Sequence, residues 1–276
     1  DVDAVYIAVP NSVHAQYALA CMNAGKHVLC EKPAASNATE FLKMTECARK
    51  NNVSFMEAML PTTSPNFSVI RRNLSRLGRI RRYFAAYCQY SSRYDKLQQG
   101  DAANVFRTSM SGGATMDIGV YTIYPMVALF GMPQSINAQG IILSGGVDGQ
   151  AAVNMTYPDM NATVVYSKIA DSYLPSEIEG EKGNLLMSGI HVIHDVTFIP
   201  HRKPMSGQGP EEERQAVGVE IDKSDYFYET AEFIDLVEKG KSESENNSWE
   251  NSYNTLRVTD EIRRQLGVVF PTDSAK

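Results

Sequence analysis

Residues 24–33 have the sequence Ala-Gly-Lys-His-Val-Leu-Cys-Glu-Lys-Pro, and this stretch decides the fold of the first part of the chain. Gly25 ends a predicted helix that begins near Asn11 or Ser12, and residues 27–30 form a short apolar strand. The tripeptide Glu-Lys-Pro therefore lies just past the carboxyl end of a strand. Open α/β sheets bind their ligands at that edge. The stretch predicts a parallel sheet with a binding site beside it.

Two further strands flank this one. Residues 5–9 and residues 53–58 are short, mainly apolar runs, and Asn37 with Glu40 supplies a capping box for a helix that continues through Lys50. The resulting order is strand, helix, strand, helix, strand with short links. This order predicts parallel βαβ units with right-handed crossovers, which form half of a doubly wound Rossmann sheet.

The pattern changes after Pro61. A helix is predicted over about residues 66–77, a long strand over 80–90 and a second helix over about 115–130. Residues 136–198 then carry some six short strands separated by glycine and proline turn signals. Such a run is typical of a mainly antiparallel sheet.

The end of the chain completes this second unit. Residues 200–218 are polar and rich in Gly and Pro, which predicts a loop, and two helices are predicted over about 224–239 and 249–266. We therefore predict a partial Rossmann domain over residues 1–60. It is followed over residues 61–276 by an α+β domain with a large, mainly antiparallel open sheet, whose last helices pack back on the first domain.

Composition excludes several classes of protein. The chain has 276 residues and a net charge of −6, and nothing in it draws the whole molecule to nucleic acid or anionic lipid. Six arginines between Arg71 and Arg82 are interpreted as a basic helix end that runs into a strand. No apolar run reaches the roughly 18 residues of a membrane span. The four cysteines lack metal-site spacing. We expect a soluble cytoplasmic protein with no metal site and with neither nucleic-acid nor membrane partners.

The start of the chain predicts an upstream segment. Asp1 is followed within a few residues by a buried-strand pattern, and natural domains rarely begin in mid-sheet. The phosphate-binding motif Gly-x-Gly-x-x-Gly follows the first strand of a Rossmann unit. Gly25 is the only glycine among the first sixty residues, and the glycines over 140–149 lie between predicted strands. We expect about 60 residues of a complete unit to be missing, and these residues alone to bind NADH or NADPH poorly.

Lys32 is the first candidate for chemistry. A lysine past the end of a parallel strand can donate to a substrate hydroxyl and lower the pKa of an acid–base partner. The alternative is a solvated lysine in a surface loop. The spacing alone leaves both interpretations open.

Residues 111–121, with the sequence Ser-Gly-Gly-Ala-Thr-Met-Asp-Ile-Gly-Val-Tyr, supply the second candidate site. Glycines at a helix start permit close approach of another group. Asp117 and Tyr121 are four residues apart and share a helix face, and Pro125 on that face leaves the Tyr121 carbonyl without a donor. The alternative is a core helix whose tyrosine hydroxyl is bound by Asp117.

Together the two stretches resemble the Gfo/Idh/MocA family of oxidoreductases, which includes glucose-fructose oxidoreductase and inositol dehydrogenase. The resemblance covers essentially the whole chain except the first βαβ half of the family. Three motifs occur in the family order: Pro-Asn-x-x-His at Pro10, Asn11 and His14; Glu-Lys-Pro at Glu31, Lys32 and Pro33; and Gly-Gly-x-x-x-Asp-x-Gly-x-His/Tyr at Gly112, Gly113, Asp117, Gly119 and Tyr121. Tyrosine at the last position is similar to the dimeric dihydrodiol dehydrogenases.

The resemblance implies a role for each residue. Tyr121 is the acid–base group that takes the hydroxyl proton as hydride leaves for nicotinamide, and Asp117 binds or orients the substrate. Lys32 orients the substrate and favours tyrosinate, because an unperturbed tyrosine with a pKa of about 10 is a poor base at neutral pH. The cofactor-binding candidates are Pro10, Asn11, His14, Glu31, Lys32 and Arg107.

The implied activity is oxidation of a CH–OH group in a sugar, polyol, cyclitol or dihydrodiol with NAD or NADP. The residues do not distinguish these substrates or the two cofactors. The resemblance also implies a homodimer or larger assembly through the open face of the large sheet. Two alternatives stay open: a non-catalytic sensor or regulator that keeps the fold, and an inactive truncated product. The presence of both Lys32 and Tyr121 favours the enzyme.

Overall fold

The computed structural model describes residues 2–101, 103–201 and 214–274. Its first part is a three-stranded parallel sheet in the order β1-β2-β3, with β1 over Ala4–Ile7, β2 over His27–Glu31 and β3 over Phe55–Ala58. The parallel sheet predicted from residues 5–58 is confirmed. β1 is shorter than predicted, because the chain turns at Pro10 into a 3-10 turn over Asn11–Val13.

Two helices connect these strands. α1 covers His14–Asn23 and α2 covers Ala38–Asn51. The capping box of α2 forms in a shifted version: Asn37 accepts from the Glu40 amide at 2.9 Å, while the Glu40 carboxylate accepts from the Ser36 amide at 3.0 Å. The helix end is thus satisfied on both sides, as the spacing predicted.

The helix predicted over 66–77 is divided into three pieces. α3 covers Leu60–Thr63, α4 covers Pro65–Asn73, and a 3-10 turn covers Leu74–Leu77. Pro65 cannot continue a preceding helix but is well suited to begin one. β4 then covers Ile80–Cys88, followed by α5 over Ser92–Gln98.

The second sheet has eight strands in the order β11-β10-β9-β8-β4-β7-β6-β5. Its remaining strands are β5 (Ser135–Ile142), β6 (Asp148–Thr156), β7 (Asn161–Ser167), β8 (Ser176–Gly180), β9 (Gly183–Met187), β10 (Thr197–Pro200) and β11 (Gln215–Ala216). β4 and β7 pair in parallel and the other pairs are antiparallel, as predicted for a mainly antiparallel sheet. The predicted loop over 200–218 lies mostly outside the described residues, and its described end contains β11.

Three longer helices complete the fold. α6 covers Val120–Phe130, α7 covers Asp225–Glu238 and α8 covers Trp249–Leu266. α6 and α8 contact the large sheet, whereas Phe233 and Leu236 of α7 pack on the parallel sheet. The helix predicted over 115–130 begins with a π-helical turn over Thr115–Gly119, and α6 contains Pro125. Both features interrupt regular α-helical bonding at the segment that carries Asp117 and Tyr121.

The last helices also contact the parallel sheet. The indole nitrogen of Trp249 donates to the Phe55 carbonyl at 2.9 Å, and the Asn247 amide donates to the carbonyls of Glu57 and Met59 at 3.1 and 3.2 Å. Because these bonds are buried, the end of the chain fixes β3 against α8. Within the described ranges, no helix is long and apolar enough to cross a membrane.

The glycines of the second motif are required by packing. A Cβ on Gly112 would lie 2.4 Å from the Val105 carbonyl oxygen, and one on Gly113 would lie 2.3 Å from a carboxylate oxygen of Asp148. Asp148 is fully buried and accepts from the amide and hydroxyl of Thr115 at 2.7 and 2.8 Å. The glycines therefore admit the groups that hold the π-helical turn in place.

A substitution at Gly113 tests this packing. Gly113→Ala should lower the free energy of unfolding by about 1–3 kcal/mol more than Gly25→Ala, since overpacking adds to the backbone strain. Gly25 is the control, because it also has a positive φ (73°) but no atom within 4 Å of an added Cβ. Urea unfolding of the two variants measures the difference, and equal losses would contradict the assigned collision with Asp148.

Candidate functional site

Lys32 leaves the carboxyl end of β2 and extends into the space between the two sheets. Its ammonium donates to the backbone carbonyl of Asp117 at 2.6 Å and to the carboxylate of Asp117 at 3.2 Å. It also lies 4.7 Å from the centre of the Tyr121 ring. The side chain is 13% exposed, so it is not a solvated surface lysine. The fold thus brings together all three residues predicted as catalytic.

A second lysine joins this cluster and was not predicted. The Lys168 ammonium forms an ion pair with the other carboxylate oxygen of Asp117, and its side chain is only 10% exposed. Burial opposes ionisation of Asp117, but the ion pairs with Lys32 and Lys168 outweigh it and lower the pKa of this carboxyl to about 2. Asp117 is therefore a carboxylate throughout the neutral range.

Aromatic rings surround Tyr121. Tyr87 on β4 packs edge-on at 5.8 Å between ring centres, and His191 in the β9–β10 connection lies at 6.4 Å. Tyr87 and His191 are stacked on each other at 4.0 Å with nearly parallel rings. The Tyr87 ring therefore forms a wall of the site. Tyr83 on the same strand packs in the core, at 1% exposed.

The Tyr121 hydroxyl makes no hydrogen bond to any residue in the described ranges. The alternative in which Asp117 binds this hydroxyl does not hold, since both Asp117 oxygens are paired with lysines. Burial raises the pKa of the Tyr121 phenol well above its ordinary value, and Glu31, Tyr87 and Asp117 add to the effect. The phenol is protonated at neutral pH and free to contact a ligand.

Two predicted cofactor residues line a small cavity next to this cluster. Pro10 and Asn11 follow β1 and share a cavity of about 160 Å³ with Asp117, Gly112 and other residues from the loop before α6. The Asn11 side chain donates to the Ser111 carbonyl at 3.0 Å. This bond connects the end of β1 to the glycine motif.

The remaining cofactor candidates occupy different environments. His14 is 1% exposed, and its two ring nitrogens lie 2.8 and 2.7 Å from the carbonyl oxygens of Pro33 and Val9. We therefore place His14 behind the site, where it joins the loops after β1 and β2. Arg107 is exposed, and its carbonyl accepts from the Gly112 amide at 3.1 Å. The cofactor contacts predicted for His14 and Arg107 stay predictions.

Glu31 faces a second, larger cavity. It accepts hydrogen bonds from the Tyr6 hydroxyl and the Lys32 amide. The cavity of about 610 Å³ lies between the β1–β2 sheet and α7, where Glu229 and Phe233 form its other side. Burial, together with the nearby carboxylates Glu31 and Glu57, raises the pKa of Glu229 to about 8.

The residues at this edge suit the nicotinamide half of NAD(P). The Glu31 carboxylate and the Asn11 amide stand at the carboxyl ends of β2 and β1, and such groups bind ribose hydroxyls and a carboxamide through hydrogen bonds. Both adjoin Lys32. Among the described residues, no cluster of His, Cys, Asp or Glu is arranged to hold a metal ion.

Lys32 of the Glu-Lys-Pro tripeptide, at the edge of the parallel βαβ sheet, contacts Asp117 on the π-helical turn and Tyr121 on α6. A parallel βαβ unit joined in this way to a mainly antiparallel domain is typical of two-part NAD(P)-dependent oxidoreductases. Family models agree: residues 1–59 match the oxidoreductase family with an NAD-binding Rossmann fold, and residues 73–186 match the GFO/IDH/MocA C-terminal domain. The chain belongs to the GFO/IDH/MocA oxidoreductase family.

Individual proteins show the same likeness. The chain is 44% identical to scyllo-inositol 2-dehydrogenase (NADP(+)) IolU of Bacillus subtilis, over 99% of this chain and 80% of that protein. It is 29% identical to trans-1,2-dihydrobenzene-1,2-diol dehydrogenase of Danio rerio, over 99% and 80%. The structure of levoglucosan dehydrogenase with NADH and L-sorbose superposes with a TM-score of 0.79 at 21% identity, over 97% and 78%. The last similarity concerns the fold.

The raised pKa of Glu229 predicts how stability depends on pH. The folded-state pKa of about 8 lies above the ordinary value of 4.5, so the folded chain retains a proton that the unfolded chain releases between these values. The stabilisation is complete below pH 4.5 and is lost as the pH rises through about 8. The free energy of unfolding of wild type should therefore fall between pH 5 and pH 8. In Glu229→Gln this fall should be smaller by on the order of 2 kcal/mol.

Urea unfolding at pH 5, 6, 7 and 8 measures this slope. Glu238→Gln on the same helix is the control, because Glu238 is exposed. Equal slopes for wild type and Glu229→Gln would show that the Glu229 carboxyl is not protonated in the folded chain at pH 6.

Proposed function

We propose that the protein oxidises a secondary alcohol of a cyclitol, sugar, polyol or dihydrodiol and transfers the hydride to NAD(P). The observation that carries this proposal is the contact of Lys32 with both Asp117 and Tyr121 at the carboxyl edge of the parallel sheet. The similarity to an inositol dehydrogenase and a dihydrodiol dehydrogenase supports the substrate class. Either cofactor satisfies the proposal.

The protein residues move the proton and hold the charge. NAD(P), when bound, supplies the hydride acceptor, and Glu31, Asn11 and Pro10 would hold its nicotinamide half. The Tyr121 hydroxyl binds the substrate oxygen and exchanges the proton with it. The Lys32 ammonium stabilises the negative charge that develops on that oxygen. Asp117 holds the ammonium in place and accepts a hydrogen bond from a neighbouring substrate hydroxyl.

Because Tyr121 is protonated, it is ready to donate a proton in ketone reduction but not to accept one in alcohol oxidation. The protonated phenol can donate to the alkoxide formed when a ketone is reduced, because an alkoxide is a stronger base than a phenolate. In the oxidation direction Tyr121 must first release its proton to solvent, and the resulting phenolate then takes the proton of the substrate hydroxyl. Positive charge beside the phenol favours that ionised form. In this structure Lys32 contacts the ring face of Tyr121, so its charge acts through space rather than through a hydrogen bond to the hydroxyl.

The aromatic wall suits a ring-shaped substrate. Tyr87 and His191 present apolar ring surface, while the cluster of Lys32 and Asp117 presents donors and acceptors on the other side of Tyr121. A cyclitol or pyranose has both kinds of surface, with C–H groups on its faces and hydroxyls around its edge. Pockets that combine aromatic surface with few polar groups are typical of such ligands.

Turnover by the complete gene product tests the proposal. scyllo-Inositol, myo-inositol, glucose, xylose and trans-1,2-dihydrobenzenediol would be screened for NAD(P)-dependent oxidation. Lys32→Met and Tyr121→Phe should each lower kcat/KM by about 10²–10⁴-fold, the size of a lost acid–base contribution. Lys239→Met is the control, since Lys239 is an exposed lysine that pairs with Asp235 far along α7. Undiminished turnover in Tyr121→Phe would refute the assignment of Tyr121 as the acid–base group. Absence of turnover by wild type on every substrate would favour the alternative of a non-catalytic sensor or regulator.

We also propose that the chain assembles as a homodimer through the face of the large sheet that carries Phe84, Val165 and Leu186. These apolar side chains are half-buried and alternate with core-facing neighbours along β4, β7 and β9. Light scattering after gel filtration should give the mass of a dimer for wild type and of a monomer for Val165→Asp. A monomeric wild type would refute this interface.

A further inference from the structure

We propose that Lys168 is a positioning residue of this site, which holds the second oxygen of Asp117 and so leaves one net positive charge beside Tyr121. The proposal rests on the proposed function and adds a group that none of the three sequence motifs contains. It concerns what this lysine does to the groups that contact the substrate.

The backbone of Lys168 is fixed on both sides. Lys168 follows β7, and its amide donates to the Gly149 carbonyl at 2.8 Å while its carbonyl accepts from the Ser91 amide at 3.0 Å. β7 pairs in parallel with β4 up to the Cys88–Ser167 pair, so the carboxyl ends of both strands meet at the site. The same end of β4 carries Tyr87. The fold therefore directs the Lys168 side chain towards Asp117 from the side opposite Lys32.

Charge pairing explains why this lysine can be buried. A lysine that is 10% exposed requires a counter-charge, and among residues 2–101, 103–201 and 214–274 its ammonium pairs with Asp117. Asp117 already pairs with Lys32, at 3.2 Å. Two ammonium groups thus share one carboxylate, and the cluster carries a net charge of +1. Without Lys168, Lys32 and Asp117 would form a neutral pair.

The net charge matters because the other groups facing Tyr121 are neutral or acidic. They come from β2, the π-helical turn, β4, the β9–β10 connection and α7, and they are Glu31, Asp117, Tyr87, His191 and Glu229. Lys32 and Lys168 are the cations opposed to them in the described site. Positive charge 4.7 Å from the ring centre, where Lys32 lies, favours a developing negative charge on the phenol or the substrate oxygen. Lys168 adds to this effect by offsetting the negative charge of Asp117, with which its ammonium pairs.

Three substitutions at Lys168 separate charge from hydrogen bonding. Lys168→Met removes both, Lys168→Gln retains a donor to Asp117 without the charge, and Lys168→Arg retains the charge. The variants are assayed in the complete gene product with scyllo-inositol and NADP⁺. Lys168→Met and Lys168→Gln should each lower kcat at least tenfold, while KM stays within threefold of the wild-type value. The alkaline shift of the kcat–pH profile should be about one unit, from loss of one nearby charge. Lys168→Arg should retain the wild-type kcat and pH profile, and the control Lys239→Met should match wild type.

A second measurement does not depend on turnover. Carbon-13 labelling of aspartate Cγ reports carboxyl ionisation in the cofactor-free protein, and Asp117→Asn identifies the Asp117 signal. The two ammonium groups lower the pKa of Asp117 to about 2, so its titration should lie at higher pH in Lys168→Met and Lys168→Gln than in wild type or Lys168→Arg. If wild type oxidises no substrate, the proposed function fails, while this titration still tests the charge coupling.

Several results would overturn the proposal. A lysine with only a structural role would give Lys168→Gln the kcat–pH profile of wild type, whatever its melting temperature. A lysine that binds substrate would raise KM and leave kcat unchanged. Because Gln preserves the hydrogen bond to Asp117, it remains informative if Lys168→Met does not fold.

Discussion

The site depends on one half-buried carboxylate held between two largely covered ammonium groups. Asp117 pairs with Lys32 through one oxygen and with Lys168 through the other. Removing one member of a buried ion pair commonly costs about 3–5 kcal/mol, because the remaining charge is left without a partner. The three residues come from the loop after β2, the turn before α6 and the end of β7. Their ion pairs therefore join the parallel sheet to the large sheet at the place where ligands bind.

A second carboxylate, which is buried, holds Asp117 in position. Asp148 accepts from both the amide and the hydroxyl of Thr115, whose hydroxyl also bonds to Tyr166. Thr115 begins the π-helical turn, and π-helical turns are frequent at functional sites because they redirect side chains within a helix. Gly113 has no side chain to displace Asp148 from this position. The motif glycines thus act on the chemistry indirectly, through the turn that carries Asp117.

Tyr121 lies between cationic and acidic groups. Lys32 and Lys168 contribute positive charge on one side. Glu31 and the protonated Glu229 lie on the side of the parallel sheet. Burial and the acidic groups dominate in the cofactor-free chain, so the phenol retains its proton. A group that exchanges a proton with a substrate oxygen requires this balance, since a phenol that ionised freely would have no proton to donate.

Short-range patterns in the sequence determined much of this protein. Strand ends, helix caps and three motifs located the parallel sheet and the residues Lys32, Asp117 and Tyr121, because each pattern lies within a few consecutive residues. Only the tertiary structure placed Lys168, Tyr87 and His191 at the site. Their positions follow from the parallel pairing of β4 with β7 and from the β9–β10 connection, which depend on contacts between distant segments. A lone lysine after a strand carries no local signal, since its charge partner is chosen by the packing of the sheets.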